Sequence, residues 1–225
     1  MIKYINKYIE SVDCMLEILY SDSNIAVIIK PVGISSEHTD KNSGAVDLLK
    51  EQLNTEVYPV HRLDLTTGGV MVYALNKKSA GYLSKAIEEK RVVKQYLAIT
   101  DGIPKEDKAV LKDLLYRDRQ KNKTFVVKRM RKGVKDAECE YEIIKKSESR
   151  ALIKVRLFTG RTHQIRVQFA SRKTPLTGDG KYGSRTNTDK IALWSYALTI
   201  PNPTNGKTET YTKEPDFSKS PWNLI

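Results

Sequence analysis

An α+β fold with a mixed, largely antiparallel sheet flanked by helices is what this sequence predicts, and three observations carry it. Short runs rich in β-branched residues recur between turn residues, as in Asn24 to Ile29, Val92 to Ile99 and Ile191 to Ile200. Between them, segments such as Ser43 to Asn54 repeat apolar residues at the helical period. Two further stretches, Ala137 to Lys145 and Ala151 to Leu157, roughly alternate apolar and polar residues, the pattern of half-buried antiparallel neighbours.

At 225 residues the chain is long enough for one good core or two closely packed halves, and too short for several independent domains. A single domain over 1–225 is expected, with 1–15 as an N-terminal extension. Thirty-nine Lys and Arg against 27 Asp and Glu give a formal charge of +12. Such a surplus points to a polyanionic partner, nucleic acid first and an anionic membrane second. The membrane reading weakens because no apolar run approaches the about 20 residues that span a bilayer, and the basic residues do not line one apolar helix. The first thirteen residues lack the apolar centre of a secretory signal, so a cytoplasmic protein is expected. Cys14 and Cys139 are far apart without metal-type spacing and read as buried thiols.

In chain order, the strand Asn24 to Ile29 ends in the forced turn Lys30-Pro31-Val32-Gly33. A lysine at a strand end is by default solvated, although Lys30 could contact a phosphate. Ser43 to Asn54 is an amphipathic helix with Val46, Leu49 and Leu53 as its core side. Val57 to Val60 and Val70 to Leu75 read as buried strands, and between them lies the polar loop His61-Arg62-Leu63-Asp64-Leu65-Thr66-Thr67-Gly68-Gly69. A short polar loop fixed by strands is a common seat for chemistry, and Asp64 is the only carboxylate between Glu56 and Glu88. Ser79 can cap a helix whose buried side is Tyr82, Leu83, Ala86 and Ile87. In the strand Val92 to Ile99, Tyr96 reads by itself as a half-buried core residue.

Between Arg117 and Lys135 nine basic residues face one acid, Asp118. This is either a solvated hairpin with arms Thr124 to Val127 and Ala137 to Ile144, or a phosphate-tracking patch that includes Lys128, Arg129, Arg131 and Lys132. After the strand pair joined near Ser147 to Ser149, a glycine turn at Gly160 opens a helix with Ile165 and Phe169 buried, Arg161 near its start and Arg166 within it. Ile191 to Ile200 is the last long strand.

Several chemistries fail on spacing. Gly178-Asp179-Gly180-Lys181-Tyr182-Gly183 fits a dinucleotide-binding pattern literally, yet no strand precedes it and no helix follows, so it reads as a loop with turn glycines. His38, His61 and His163 show no metal spacing, and a neutral hydrogen-bonding role is the default for each. A two-metal nuclease needs several close carboxylates, and the Asp64 neighbourhood offers one in sequence.

His61-Arg62-Leu63-Asp64, with Thr67 and Gly69, resembles the H-R-L-D-x-x-T-S-G signature of the RluA-type pseudouridine synthases. Supporting blocks follow in the family's order: Lys30-Pro31-Val32-Gly33 is similar to N-K-P-x-G, Lys94-Gln95-Tyr96-Leu97-Ala98 to K-x-Y-x-A, Thr159 to Arg166 to T-G-R-x-H-Q-I/L-R, and Gly178 to Gly183 to G-D-x-x-Y-G. The blocks run from about residue 28 to residue 183.

The resemblance implies a pseudouridine-synthase-like catalytic domain with a central cleft. It implies isomerisation of uridine in structured rRNA or tRNA by a flipped-base mechanism, with no cofactor and no metal. Asp64 matches the catalytic aspartate, Arg166 the arginine paired with it, and Tyr96 the tyrosine that stacks on the flipped base and serves in proton removal from C5. Arg62 matches a residue near the extruded nucleotide, while Arg161, His163 and Lys30 lie in matching substrate-side blocks. The partner is RNA, with no membrane and a monomeric protein. A non-catalytic RNA-binding or RNA-folding factor on the same scaffold is the competing expectation.

Three departures stand beside the site: Gly68 replaces the serine of T-S-G, Val70 a leucine, and Ile29 the asparagine before Lys30. Roughly twenty residues precede the first expected strand, too few for the S4 domain of some relatives, so RNA grip is expected from the catalytic domain and its basic segment.

Overall fold

The computed structural model describes residues 15–40 and 42–225. The expected N-terminal extension and Cys14 lie outside the described residues, apart from Met15. Among the described residues eleven strands, β1 (Glu17–Ser21), β2 (Ile25–Lys30), β3 (Tyr58–Pro59), β4 (Gly68–Ala74), β5 (Val93–Asp101), β6 (Lys108–Asp118), β7 (Lys123–Val127), β8 (Val134–Lys146), β9 (Arg150–Leu157), β10 (Leu193–Pro201) and β11 (Thr208–Thr212), join one sheet. Its order is β1-β2-β4-β10-β5-β9-β8-β6-β7, with β3 pairing β4 and β11 pairing β10. Only the β4–β10 pairing is parallel among the described residues, so the mixed, largely antiparallel expectation holds.

Helices α1 (Ala45–Leu53) and α3 (Gln164–Ser171) share a core with Ile28, Met71, Tyr73, Ile153 and Val155, into which Leu49, Ile165 and Phe169 pack. Helix α2 (Lys77–Glu88) belongs to a second core, where Leu83 meets Val27, Val72 and Leu198. Strands β2 and β4 are therefore buried along their whole length.

Several expectations need correction. Asn76 caps α2 by accepting the backbone N–H of Ser79, so Ser79 is the capped residue rather than the cap. The Val57–Val60 run forms a strand of only two residues, because Pro59 gives it no second ladder donor. The basic hairpin pairs β7 with β6, and β8 lies on the other side of β6. Sequence reading passed over β6 because its charged residues interrupt the apolar pattern. It likewise missed the short, half-exposed edge strands β1 and β11.

Gly68 and Gly69 sit where β4 meets β10. A Cβ on Gly69 would come within 2.2 Å of the Ser195 carbonyl oxygen, and one on Gly68 within 2.5 Å of the Trp194 ring. Trp194 thus accounts for the glycine that replaces the motif serine: any side chain there meets the indole.

Candidate active site

The loop that carries Asp64 is fixed from below. Ser36 donates its hydroxyl to the Leu63 carbonyl and accepts the Leu63 N–H, each at 3.0 Å, while the Tyr73 hydroxyl donates to the Ser36 carbonyl. Gly33 N–H reaches the Leu65 carbonyl, and Thr67 N–H closes a turn onto the Asp64 carbonyl at 2.9 Å. Lys30, far from solvated, is fully buried: its ammonium donates to the carbonyls of Pro31 (2.8 Å) and Ile34 (2.7 Å), shaping the segment on which the loop rests. Burial lowers its pKa to about 8, with Asp64 opposing the shift. His61 accepts the Val72 N–H at Nε2, 3.2 Å away, a bracing contact of the expected neutral kind.

Helix α3 brings the second half of the site. Its entry is buckled by Gln164, whose amide oxygen accepts from the Arg161 N–H and the Thr159 hydroxyl and whose amide nitrogen donates to the Glu138 carbonyl. His163 takes a left-handed conformation (φ 54°) to start the helix, a strained choice for a residue other than glycine. The turn at Gly160 needs no such conformation.

Asp64 and Arg166 do meet, with Nη1 and Oδ2 at 3.8 Å. The principal partner of Arg166, however, is Asp179, bound through Nε at 2.6 Å and Nη2 at 2.9 Å with both groups buried. One guanidinium edge is thus consumed by Asp179, and the remaining Nη1 points toward Asp64 and the Thr66 hydroxyl. The Tyr182 ring stacks on Arg166 at 5.1 Å, and its hydroxyl meets His163 Nδ1 at 2.9 Å. His163 Nε2 lies 4.0 Å from Asp64.

The electrostatics follow from this division. Burial raises the Asp64 carboxyl above its ordinary value; Arg166, Arg62 and Arg117 oppose the shift and the second carboxylate, Asp179, adds to it. His163 is pulled down to about 4 by burial and by Arg166, Lys181 and Arg117, which keeps it neutral at physiological pH. Burial and the Asp64 charge push the Tyr96 phenol upward, so it remains protonated.

Asp64 and Tyr96 line one cleft of about 370 Å³, together with Arg62, Lys94, Arg161 and Arg166. Arg62 is well exposed, with its guanidinium 3.8 Å from Glu37. Arg161 donates to the Asp136 carbonyl and stands where this cleft opens into a wider groove of about 1050 Å³, walled by Arg117, Arg119, Lys132 and Lys135. Of the basic patch, Lys132 faces that groove. Arg131 stacks on Tyr116, and Lys128 borders a separate depression beside Asp113, Asp136 and Glu138. Lys30 supports the loop from within the core.

Sequence reading missed Asp179, although it sits inside a quoted block; setting aside the dinucleotide pattern also set aside its aspartate. It missed Arg117 as a link: that side chain, inside the basic segment, donates to Thr162 beside His163 at 2.7 Å. Among the described residues, no cluster of His, Cys, Asp or Glu could hold a metal ion, and no helix is long and apolar enough to cross a membrane.

The fold is that of the pseudouridylate synthase domains. "Human RNA Pseudouridylate Synthase Domain Containing 1" superposes with a TM-score of 0.77 at 22% identity, covering 95% of this chain and 89% of that one. "Human RNA Pseudouridylate Synthase Domain Containing 4" gives 0.74 at 24% identity, covering 89% of each. Residues 24–171 match the family model described as RNA pseudouridylate synthase, and the chain belongs to that family of isomerases. An "Uncharacterized RNA pseudouridine synthase" of Haemophilus influenzae is 33% identical over 78% of this chain and 76% of its own. The "Dual-specificity RNA pseudouridine synthase RluA" of Escherichia coli K12 is 32% identical over 90% of this chain and 94% of its own.

Proposed function

We propose that this protein converts specific uridines of structured rRNA or tRNA to pseudouridine, with Asp64 as the catalytic carboxylate acting on a flipped nucleotide. The observation that carries the reading is the meeting of Asp64, Arg166 and Tyr96 in one cleft from three distant blocks of sequence. In the reaction the N1–C1′ bond breaks, the base turns, and C5 bonds to C1′ while the C5 proton is lost and N1 gains one. No atom is lost overall, so neither cofactor nor metal is called for.

In this reading Arg166 offsets the desolvation of Asp64 while Asp179 fixes its orientation. Tyr96 offers the extruded base a flat wall. Its phenol, protonated in the free protein, favours stacking over the role of a ready base. Arg62 and Arg161 take the nucleotide's polar edges at the cleft mouth, and His163 braces Tyr182. Lys128, Arg129, Arg131 and Lys132 add phosphate contacts from the hairpin. A single catalytic domain working as a monomer completes this reading.

The test is pseudouridine mapping in total RNA from cells with and without the gene, and with Asp64→Asn in its place. A uridine that loses its modification in both altered strains is expected. A site that stays modified in the Asp64→Asn strain overturns the role of Asp64; unchanged maps throughout leave the RNA-folding-factor reading standing.

A further inference from the structure

Lys94 lies two residues before Tyr96 on β5, and side chains at that spacing share a sheet face. Both line the cleft that holds Asp64. Unlike Lys30, whose ammonium is satisfied by two carbonyls, the Lys94 ammonium has no carboxylate within 4.0 Å and no hydrogen-bond acceptor among the described residues. Nor is it sealed, for its side chain is only partly buried and opens onto the cleft. A mostly buried cation without an anion is costly, and burial accordingly pulls its pKa down.

Lys94 also borders a second groove, of about 300 Å³, which leaves the cleft between the end of α2 and β9. This groove is lined by Lys90, Arg156 and Arg161 with Glu88 as its lining acid, and by Phe158, over which Arg156 stacks at 5.3 Å while also reaching Glu140 at 3.5 Å. Cations beside a partly exposed aromatic ring suit a single strand of nucleic acid.

We propose that Lys94 is a phosphodiester-binding residue: with Arg161 it seats a backbone phosphate next to the target nucleotide, and the Lys90–Arg156–Phe158 groove carries that flank of the RNA away from the cleft. This rests on the reading of the cleft as an RNA site and adds the path of one flank. The chemistry needs only an anion, so the seat is measurable by binding alone.

The experiment is fluorescence anisotropy of the full chain with a labelled oligouridylate at several KCl concentrations, comparing wild type, Lys94→Met, Lys94→Arg and the remote surface variant Lys207→Gln. Lys94→Met is expected to weaken binding several-fold and to reduce the salt slope by about 0.7, the value of one phosphate contact on a single strand. Lys94→Arg keeps the slope, and Lys207→Gln leaves it at the wild-type value. The melting temperature of Lys94→Met is expected to rise, since an unpaired, partly buried charge is removed. A wild-type slope in Lys94→Met, or a lower melting temperature, overturns the proposal, as does an absence of salt-dependent binding by the wild type. Binding that depends on Lys94 without any pseudouridine in the mapping would instead sink the catalytic reading alone.

Discussion

The cleft and the β6–β7 hairpin are both basic, but they deploy their charge in opposite ways. In the cleft Arg166 is nearly buried and tied to Asp179, and beneath its Asp64 loop Lys30 is fully buried and tied to carbonyls. On the hairpin and the loop after it, Lys128, Arg129, Arg131 and Lys132 are all exposed. The first kind of cation is a fixed dipole-like element whose removal leaves a buried partner stranded. The second is a set of interchangeable charges whose removal costs solution attraction only.

The largest test of this contrast is Asp179→Asn. Breaking the buried pair is expected to cost about 3–5 kcal/mol of stability by denaturant titration. It also frees Arg166 to swing onto Asp64 and removes a charge that raises the Asp64 pKa, so the acid limb of the pH–rate profile moves to lower pH. An unmoved limb in a folded variant would show that Asp179 is scaffolding only.

Next comes Asp64→Asn. A carboxyl whose folded pKa is raised gives its stability fully below the unfolded value and loses it as pH rises through the folded value. The variant is therefore expected to melt above wild type at neutral pH and level with it in strong acid, while pseudouridine formation is abolished. A lower melting temperature at pH 7 would mean that Asp64 is net stabilising and the burial argument is wrong.

Neutralising Lys128, Arg129, Arg131 and Lys132 together is expected to leave stability almost unchanged and to lower the salt slope of RNA binding by up to about 3. Lys132→Gln alone should contribute more than Lys128→Gln, because Lys132 faces the groove joined to the cleft and Lys128 faces three acids. Equal single effects would erase the distinction.

His163→Gln is the smallest. With its imidazole held at about 4, His163 takes no part in the pH–rate profile between pH 5 and 8. Its depressed pKa does make stability fall as pH drops from the ordinary 6.5 through about 4, and the variant should flatten that slope in acid melting curves.

Legibility in the sequence followed the same divide. The hairpin's charge was plain from composition, but its pairing was not, since β6 carries a lysine or an acid at too many positions to look like a strand. The cleft was the reverse. Asp64 stood out as a lone carboxylate on a polar loop, but Tyr96 and Arg166 came only through motif resemblance, as Tyr96 taken by itself resembles any core tyrosine. Asp179 escaped because a buried carboxylate on a glycine loop has no local pattern; its partner lies 13 residues away across a turn. Lys30 shows the limit of position-based defaults: its burial is decided by the carbonyls of residues that follow it, which no hydrophobicity pattern reports.

The close approach at Gly68 and Gly69 has a consequence for how the enzyme comes into being. The Ser195 hydroxyl donates to the Val70 carbonyl across 125 positions of chain, and the same register pins the exit of the Asp64 loop to β10. On the ribosome, Asp64 emerges well before β10, the strand that locks its loop. A chain made only as far as β9 therefore has the Asp64 carboxylate but lacks the strand that lies between β4 and β5 and holds its loop.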